Sequence, residues 1–369
     1  MNTEVSKSDI PKAEIKETKL QNTPNINESP IGNTRVVKPG IESSGNELLR
    51  VENLTRVFTK GQGFSKSTLT AVNKASFSLD AKEPEIFTLA GESGSGKSTL
   101  AKLILGFEKP TSGNIIYKGE NITNIKGRKE LMKFMKEVQP VFQNPFETFN
   151  PLKKADSYLF ETEKNFKNYK MTKKRDHQVI EKSLELVGLS LDEIRDKYPG
   201  EMSGGQLQRT SIARALITNP SLLITDEPVS MIDASLRMSI VNLFKKLKDE
   251  EGVSVIYITH DLATAYYVSD RIAIMLRGQI VEMGPVENVL DNPLHPYTQL
   301  LKNSVPVPDP ADKWEEEIAL SDMESKEFSR KGCKFAGRCQ QVMDICRENE
   351  AEYLETEGRL VKCHLYENS

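Results

Sequence analysis

Apolar positions along the chain fall into short clusters with two periods. Leu48–Leu54 and Ala75-Ser76-Phe77-Ser78-Leu79 alternate as half-buried strands do. Ile86-Phe87-Thr88-Leu89-Ala90, Leu222-Leu223-Ile224-Thr225 and Val253–Thr259 are nearly continuous apolar runs rich in β-branched residues. Such runs suit strands covered on both faces. Helical periodicity follows the first from Lys97 to about Phe107 and separates the other two from Leu236 to Glu250. Buried strands alternating with helices predict a parallel α/β sheet. Residues 272–284 predict a hairpin turning at Arg277-Gly278. Residues from about 128 to 217 are mostly helical and charged and predict an inserted helical subdomain. No internal repeat is visible.

Composition changes the picture at both ends. Residues 1–46 are polar, with isolated apolar positions, and predict a disordered tail that buries too little surface to offset chain entropy. From about residue 291 a Pro-rich connector leads to a segment holding all four cysteines of the chain: Cys333, Cys339, Cys346 and Cys363. With 369 residues, 37% of them hydrophobic, the chain can bury a substantial core. A net charge of -3 excludes the basic excess of a dedicated nucleic-acid binder. No apolar run reaches the ~18 residues of a membrane span, and Met1–Val5 begins no secretory signal. The expectation is a cytosolic protein whose membrane role, if any, comes through partners.

Three segments carry chemistry. Gly91-Glu92-Ser93-Gly94-Ser95-Gly96-Lys97-Ser98 fits G-x-x-x-x-G-K-[ST] between a strand and a helix. Its glycines let N–H groups turn inward on phosphate oxygens, and the helix aims its positive end at them. Lys97 would reach the β- and γ-phosphates and Ser98 would hold Mg²⁺. Asp226-Glu227 closes a buried strand at its carboxyl end, where ligands bind in such sheets. Asp226 suits Mg²⁺ and Glu227 suits a general base for the attacking water. Ser203-Gly204-Gly205-Gln206 opens a helix and is a second anion site. Two phosphate sites far apart in one chain suggest that the second serves a nucleotide held by another subunit.

In this order the residues resemble the ATP-binding subunits of ABC transporters over roughly residues 48 to 310. The matching positions are the phosphate loop at 91–98, Gln143, Ser203–Gln206, Asp226-Glu227, Ser230-Met231-Ile232-Asp233 and His260. The resemblance implies an α/β fold: a RecA-like P-loop NTPase core with an antiparallel β subdomain, a helical signature subdomain and a small Cys-rich C-terminal tail. It implies ATPase activity, with Glu227, His260 and Gln143 as catalytic residues. ATP would be held by Phe58, stacking on adenine, and by Gly91, Ser93, Gly94, Gly96, Lys97, Ser98 and Thr99. Ser203, Gly204, Gly205, Gln206 and Asp233 would complete the partner's site. Ser98, Gln143 and Asp226 would share Mg²⁺. Met231, Ile232 and Met202 depart from the usual Ala, Leu and Leu but change only apolar residues.

Val141–Phe146 with Asn150-Pro151, the stretch His295-Pro296-Tyr297-Thr298-Gln299-Leu300-Leu301, and the cysteine segment resemble the oligopeptide/dipeptide importer branch. Four thiols within 31 residues can supply four metal ligands, but spacings of x5, x6 and x16 choose no metal. The resemblance implies a [4Fe–4S] cluster on Cys333, Cys339, Cys346 and Cys363, with Zn²⁺ as the alternative. The expected organisation is a tail over 1–46, a nucleotide-binding domain over 47–290 and a C-terminal extension over 291–369. The expected function is ATP hydrolysis that powers peptide import at the cytoplasmic face of the cell membrane. Expected partners are a second ATPase (a heterodimer over a homodimer), two transmembrane permease subunits and, indirectly, an extracytoplasmic substrate-binding protein, with no nucleic acid. The alternatives are another cargo, such as an oligosaccharide or a metal complex, or an ABC ATPase of DNA repair. The latter would want a coiled-coil insertion or a basic face, and neither is present.

Overall fold

The computed structural model describes residues 35–37, 46–60, 67–166, 178–305 and 324–367. Its strands are β1 (Arg35–Val36), β2 (Glu47–Lys60), β3 (Ser67–Asp80), β4 (Ile86–Ala90), β5 (Ser112–Tyr117), β6 (Glu120–Asn121) and β7 (Val138–Val141). There follow β8 (Leu222–Asp226), β9 (Ser254–Thr259), β10 (Arg271–Leu276), β11 (Gln279–Pro285), β12 (Leu354–Thr356) and β13 (Arg359–Val361). The larger sheet runs β1-β12-β13-β11-β10-β4-β9-β8-β7, and a smaller antiparallel one runs β3-β2-β5-β6.

The five strands from β10 to β7 are parallel, as the apolar runs predict. Every residue of β4 and β9 is buried, because helices and the smaller sheet leave no open face there. On one side Phe244, Leu247 and Tyr257 pack with Leu159, Ile180, Leu184 and Ile212 from the helical segment. On the other, Phe87 and Leu89 pack with Leu49, Val51 and Phe77 of the smaller sheet and Leu100 and Leu103 of helix Lys97–Ile104. The register sets Ala90 beside Thr259, Ile258 beside Asp226 and Thr225 beside Val141. The carboxyl ends of β4, β9, β8 and β7 therefore lie next to one another on one edge.

The hairpin turns at Arg277-Gly278 as expected, with Leu276 opposite Gln279. The helix from Lys97 ends at Ile104, short of the expected Phe107; Gly106 at φ 72 closes its end in the left-handed region. The stretch from 128 to 217 contains helices Arg128–Glu137, Pro145–Thr148, Ala155–Phe166, Gln178–Leu186, Leu191–Ile194 and Gly204–Leu216. It also contains β7, which its helical reading hid. This strand is four residues long and carries Pro140, a residue that only an edge position tolerates readily, and β7 is the sheet's edge. The expectation of disorder throughout 1–46 is corrected at Arg35–Val36, which pair with Glu355 and Leu354. An Arg35–Glu355 ion pair of 2.7 Å joins them. Composition weighs local apolar content and cannot register a sheet edge that distant residues offer. Apart from 35–37 and 46, that segment lies outside the described residues.

Phe244 is fully buried and meets Tyr257 edge-on, with ring centroids 5.9 Å apart. Phe244→Ala is expected to lower unfolding free energy by about 3–5 kcal/mol in chemical denaturation.

Candidate functional site

The phosphate loop leaves β4 at Ala90 and enters helix Lys97–Ile104. Two of its glycines are required by close approach. Gly91 has φ 145, and a Cβ there would sit 2.2 Å from the Met275 carbonyl oxygen. Gly96 has φ 105, and its Cβ would sit 2.3 Å from the Ala71 carbonyl oxygen. Lys97 is buried and its Nζ turns back into the loop. It donates to the carbonyl oxygens of Gly91 at 2.7 Å and Glu92 at 2.9 Å. Burial pushes its pKa down, against the pull of Glu227, Asp226 and Glu92.

Ser98 Oγ donates to Asp226 Oδ1 across 3.2 Å. Burial raises the Asp226 pKa, and the neighbouring Glu227 charge adds to it. A partly desolvated carboxylate beside a hydroxyl is the oxygen donor set that Mg²⁺ takes. These two residues fit the metal.

Glu227 follows β8 with φ 45, in the left-handed region that a Glu enters at a cost. Its N–H is held by the Ile258 carbonyl at 2.9 Å. Both carboxylate oxygens are engaged. Gln143 Nε2 donates to Oε2 at 3.1 Å, and His260 Nδ1 lies 2.9 Å from Oε1. Gln143 comes from the loop after β7 and His260 from the end of β9, so three strand ends meet on this side chain.

The other expected site residues stand apart from this cluster. Ser203 caps helix Gly204–Leu216 in a reciprocal pair with Gln206. Among the described residues, no hydrogen bond ties Ser203–Gln206 to the phosphate loop. Gly205 leaves room for Leu236, whose Cδ1 would meet a Cβ at 2.9 Å. Asp233 is exposed at the start of helix Ala234–Glu251. Phe58 is half-buried on β2, with the Arg56 guanidinium 4.5 Å from its ring centre. Ser93 and Gly94 are exposed at the loop's crest, and Thr99 is half-buried in the first helical turn.

The expected iron–sulfur cluster, and zinc in its place, are corrected. Among the described residues no group of three or more His, Cys, Asp or Glu side chains is arranged to hold a metal ion. The cysteines are free thiols. Burial pushes the Cys333 thiol up to about 11 and Cys363 up to about 12, which favours the protonated form over the thiolate a metal needs. Spacing brought the thiols to one small pocket lined by apolar groups such as Phe335 and Ala336, and the pocket is where prediction and environment part.

Sequence reasoning missed the surroundings of Glu92. The Tyr297 hydroxyl accepts from its N–H at 2.9 Å, and Arg338 grips its carboxylate through two bonds of 2.7 and 3.1 Å. The signal available was a Glu inside a phosphate loop, a site selective for anions.

Fold and site together define an ATP-binding cassette ATPase. A family model described as ABC transporter matches residues 74–230, and one described as oligopeptide/dipeptide transporter, C-terminal region, matches residues 281–346. The putative oligopeptide transport ATP-binding protein YkfD of Bacillus subtilis (strain 168) is 38% identical over 87% of this chain and 96% of its own length. The oligopeptide transport ATP-binding protein AppF of the same organism is 39% identical over 80% of this chain and 89% of its own. The ATP-binding cassette MJ0796, solved as a dimer in a post-hydrolysis state with ADP and Pi, superposes with a TM-score of 0.55 at 28% identity. It covers 64% of this chain and 98% of its own. The chain belongs to the oligopeptide and dipeptide branch of the ABC-transporter ATP-binding proteins, and it is an ATPase.

A methyl group at Gly96 meets backbone, not a yielding side chain. Gly96→Ala is expected to weaken ATP binding by roughly tenfold or more in calorimetric titration, the scale of forced backbone strain.

Proposed function

We propose that this chain hydrolyses ATP to power peptide import through a membrane transporter. The observation that carries the reading is the convergence of Gln143 and His260 on Glu227, beside the Ser98–Asp226 pair. Lys97 leaves the Gly91 and Glu92 carbonyls and neutralises the β- and γ-phosphates. Glu227 takes the proton of the attacking water while His260 and Gln143 fix its carboxylate plane. Mg²⁺, held by Ser98, Asp226 and Gln143, supplies charge neutralisation on the phosphates when bound. Phe58 stacks on adenine, and Gly91, Ser93, Gly94, Gly96 and Thr99 line the phosphates.

Ser203, Gly204, Gly205, Gln206 and Asp233 serve a nucleotide held by a second ATPase. Their separation from the phosphate loop of their own chain supports this, as does the dimeric state of MJ0796. The partner is a second, different ATPase in our reading. Two permease subunits span the membrane and a substrate-binding protein delivers cargo. In our reading the chain acts peripherally, at the cytoplasmic face, as its relatives named for oligopeptide transport suggest; no described helix is long and apolar enough to cross a membrane. Peptide as cargo rests on relatives named for oligopeptide transport. No observation favours sugar, metal-complex or DNA-repair roles. We assign residues 47–290 to the nucleotide-binding domain, with its helical subdomain at about 128–217. Residues 1–46 are a tail and 291–369 an extension.

Glu227→Gln keeps the shape and removes the base. Turnover is expected to fall by roughly a hundredfold or more while ATP-bound dimers accumulate in size-exclusion chromatography. Near-normal turnover would remove Glu227 from its role.

A further inference from the structure

Among the described residues, the C-terminal extension grips the phosphate loop at Glu92. Glu92 is the loop's second position, and its two ends are held separately. Its N–H donates to the Tyr297 hydroxyl at 2.9 Å. Its carboxylate receives both terminal nitrogens of Arg338, at 2.7 and 3.1 Å, and lies 3.6 Å from Arg277. Glu327 completes the group, 2.8 Å from Arg277 Nε and 2.9 Å from Arg338 Nε, with no exposure of its own. The Arg338 guanidinium also lies over the rings of Phe335 and Tyr297. Among the described residues two carboxylates face two guanidinium groups, so their charges balance.

That balance matters at this position. A bare carboxylate at Glu92, within the phosphate loop itself, would repel an arriving triphosphate. Left free, the Glu92 N–H would also let the loop's first turn sample other orientations. We propose that Tyr297 and Arg338 are positioning residues for the nucleotide: the extension cancels the Glu92 charge and fixes the loop before ATP arrives. The inference rests on the phosphate loop being the ATP site.

Tyr297→Phe removes one oxygen and keeps the buried ring. Arg338→Gln removes the charge, and Glu92→Gln/Arg338→Gln removes the repulsion as well. ATP affinity is measured on the full chain and steady-state hydrolysis on the complex purified with its partner subunits, with Lys97→Ala as reference and the melting temperature of each variant without nucleotide. Arg338→Gln is expected to raise the Kd and KM for ATP roughly tenfold, with kcat at saturating ATP within about twofold. Adding Glu92→Gln recovers most of that loss. Tyr297→Phe raises KM several-fold with kcat likewise kept. ATP affinity unchanged in both Tyr297→Phe and Arg338→Gln overturns the proposal. So does a loss that Glu92→Gln fails to relieve or that merely tracks melting temperature. If Lys97→Ala binds ATP as the wild type does, the phosphate-loop reading fails and takes this inference with it.

Discussion

The chemistry of this chain depends on charges withdrawn from water before any phosphate is present. Lys97 opens the helix after β4, and Asp226 and Glu227 close β8, with β9 between the two strands. Burial lowers the Lys97 pKa and raises that of Asp226, so each charge is held at a cost. Lys97 meets part of that cost by bonding to carbonyls of its own loop. A triphosphate and its cation can replace those bonds with stronger, charge-assisted ones. The fold makes the site expensive when empty, and that expense is what gives the incoming anion its advantage.

Much of this was legible in the sequence, for local reasons. A phosphate loop is written in consecutive residues because backbone N–H groups must point inward over one turn. The apolar runs at Ile86–Ala90 and Ser254–Thr259 announce strands buried on both faces, and each hands its chemistry to the next residues in the chain. Asp226-Glu227 stood out as a candidate pair because strand ends are where such sheets bind ligands, whereas His260 was singled out by the family resemblance.

What escaped depends on residues far apart. β7 is four residues long, and its strand character comes from lying beside β8, not from its own pattern. Arg35–Val36 form a strand because the edge of β12 is open to them. The cysteines show the converse. Their clustering and family likeness pointed to metal, yet among the described residues no three such side chains are arranged to hold an ion, and burial pushes the Cys333 and Cys363 thiols up. Nor could spacing have placed Arg338 against Glu92, 246 positions away.

Glu227 shows how the remaining parts act together. Its backbone sits at φ 45, a conformation that a side chain of its kind adopts only when its surroundings insist. The insistence comes from three strands: β8 carries the residue, the Ile258 carbonyl of β9 holds its N–H, and the loop after β7 supplies Gln143. A shift of the β7 edge would therefore reach the carboxylate through Gln143, while a change around His260 would reach its other oxygen. Glu227 thus stands where the loop after β7 and the end of β9 meet. With Glu227 as the proposed base, the placing of its carboxylate depends on both, which would suit a hydrolysis step that waits for a signal from elsewhere.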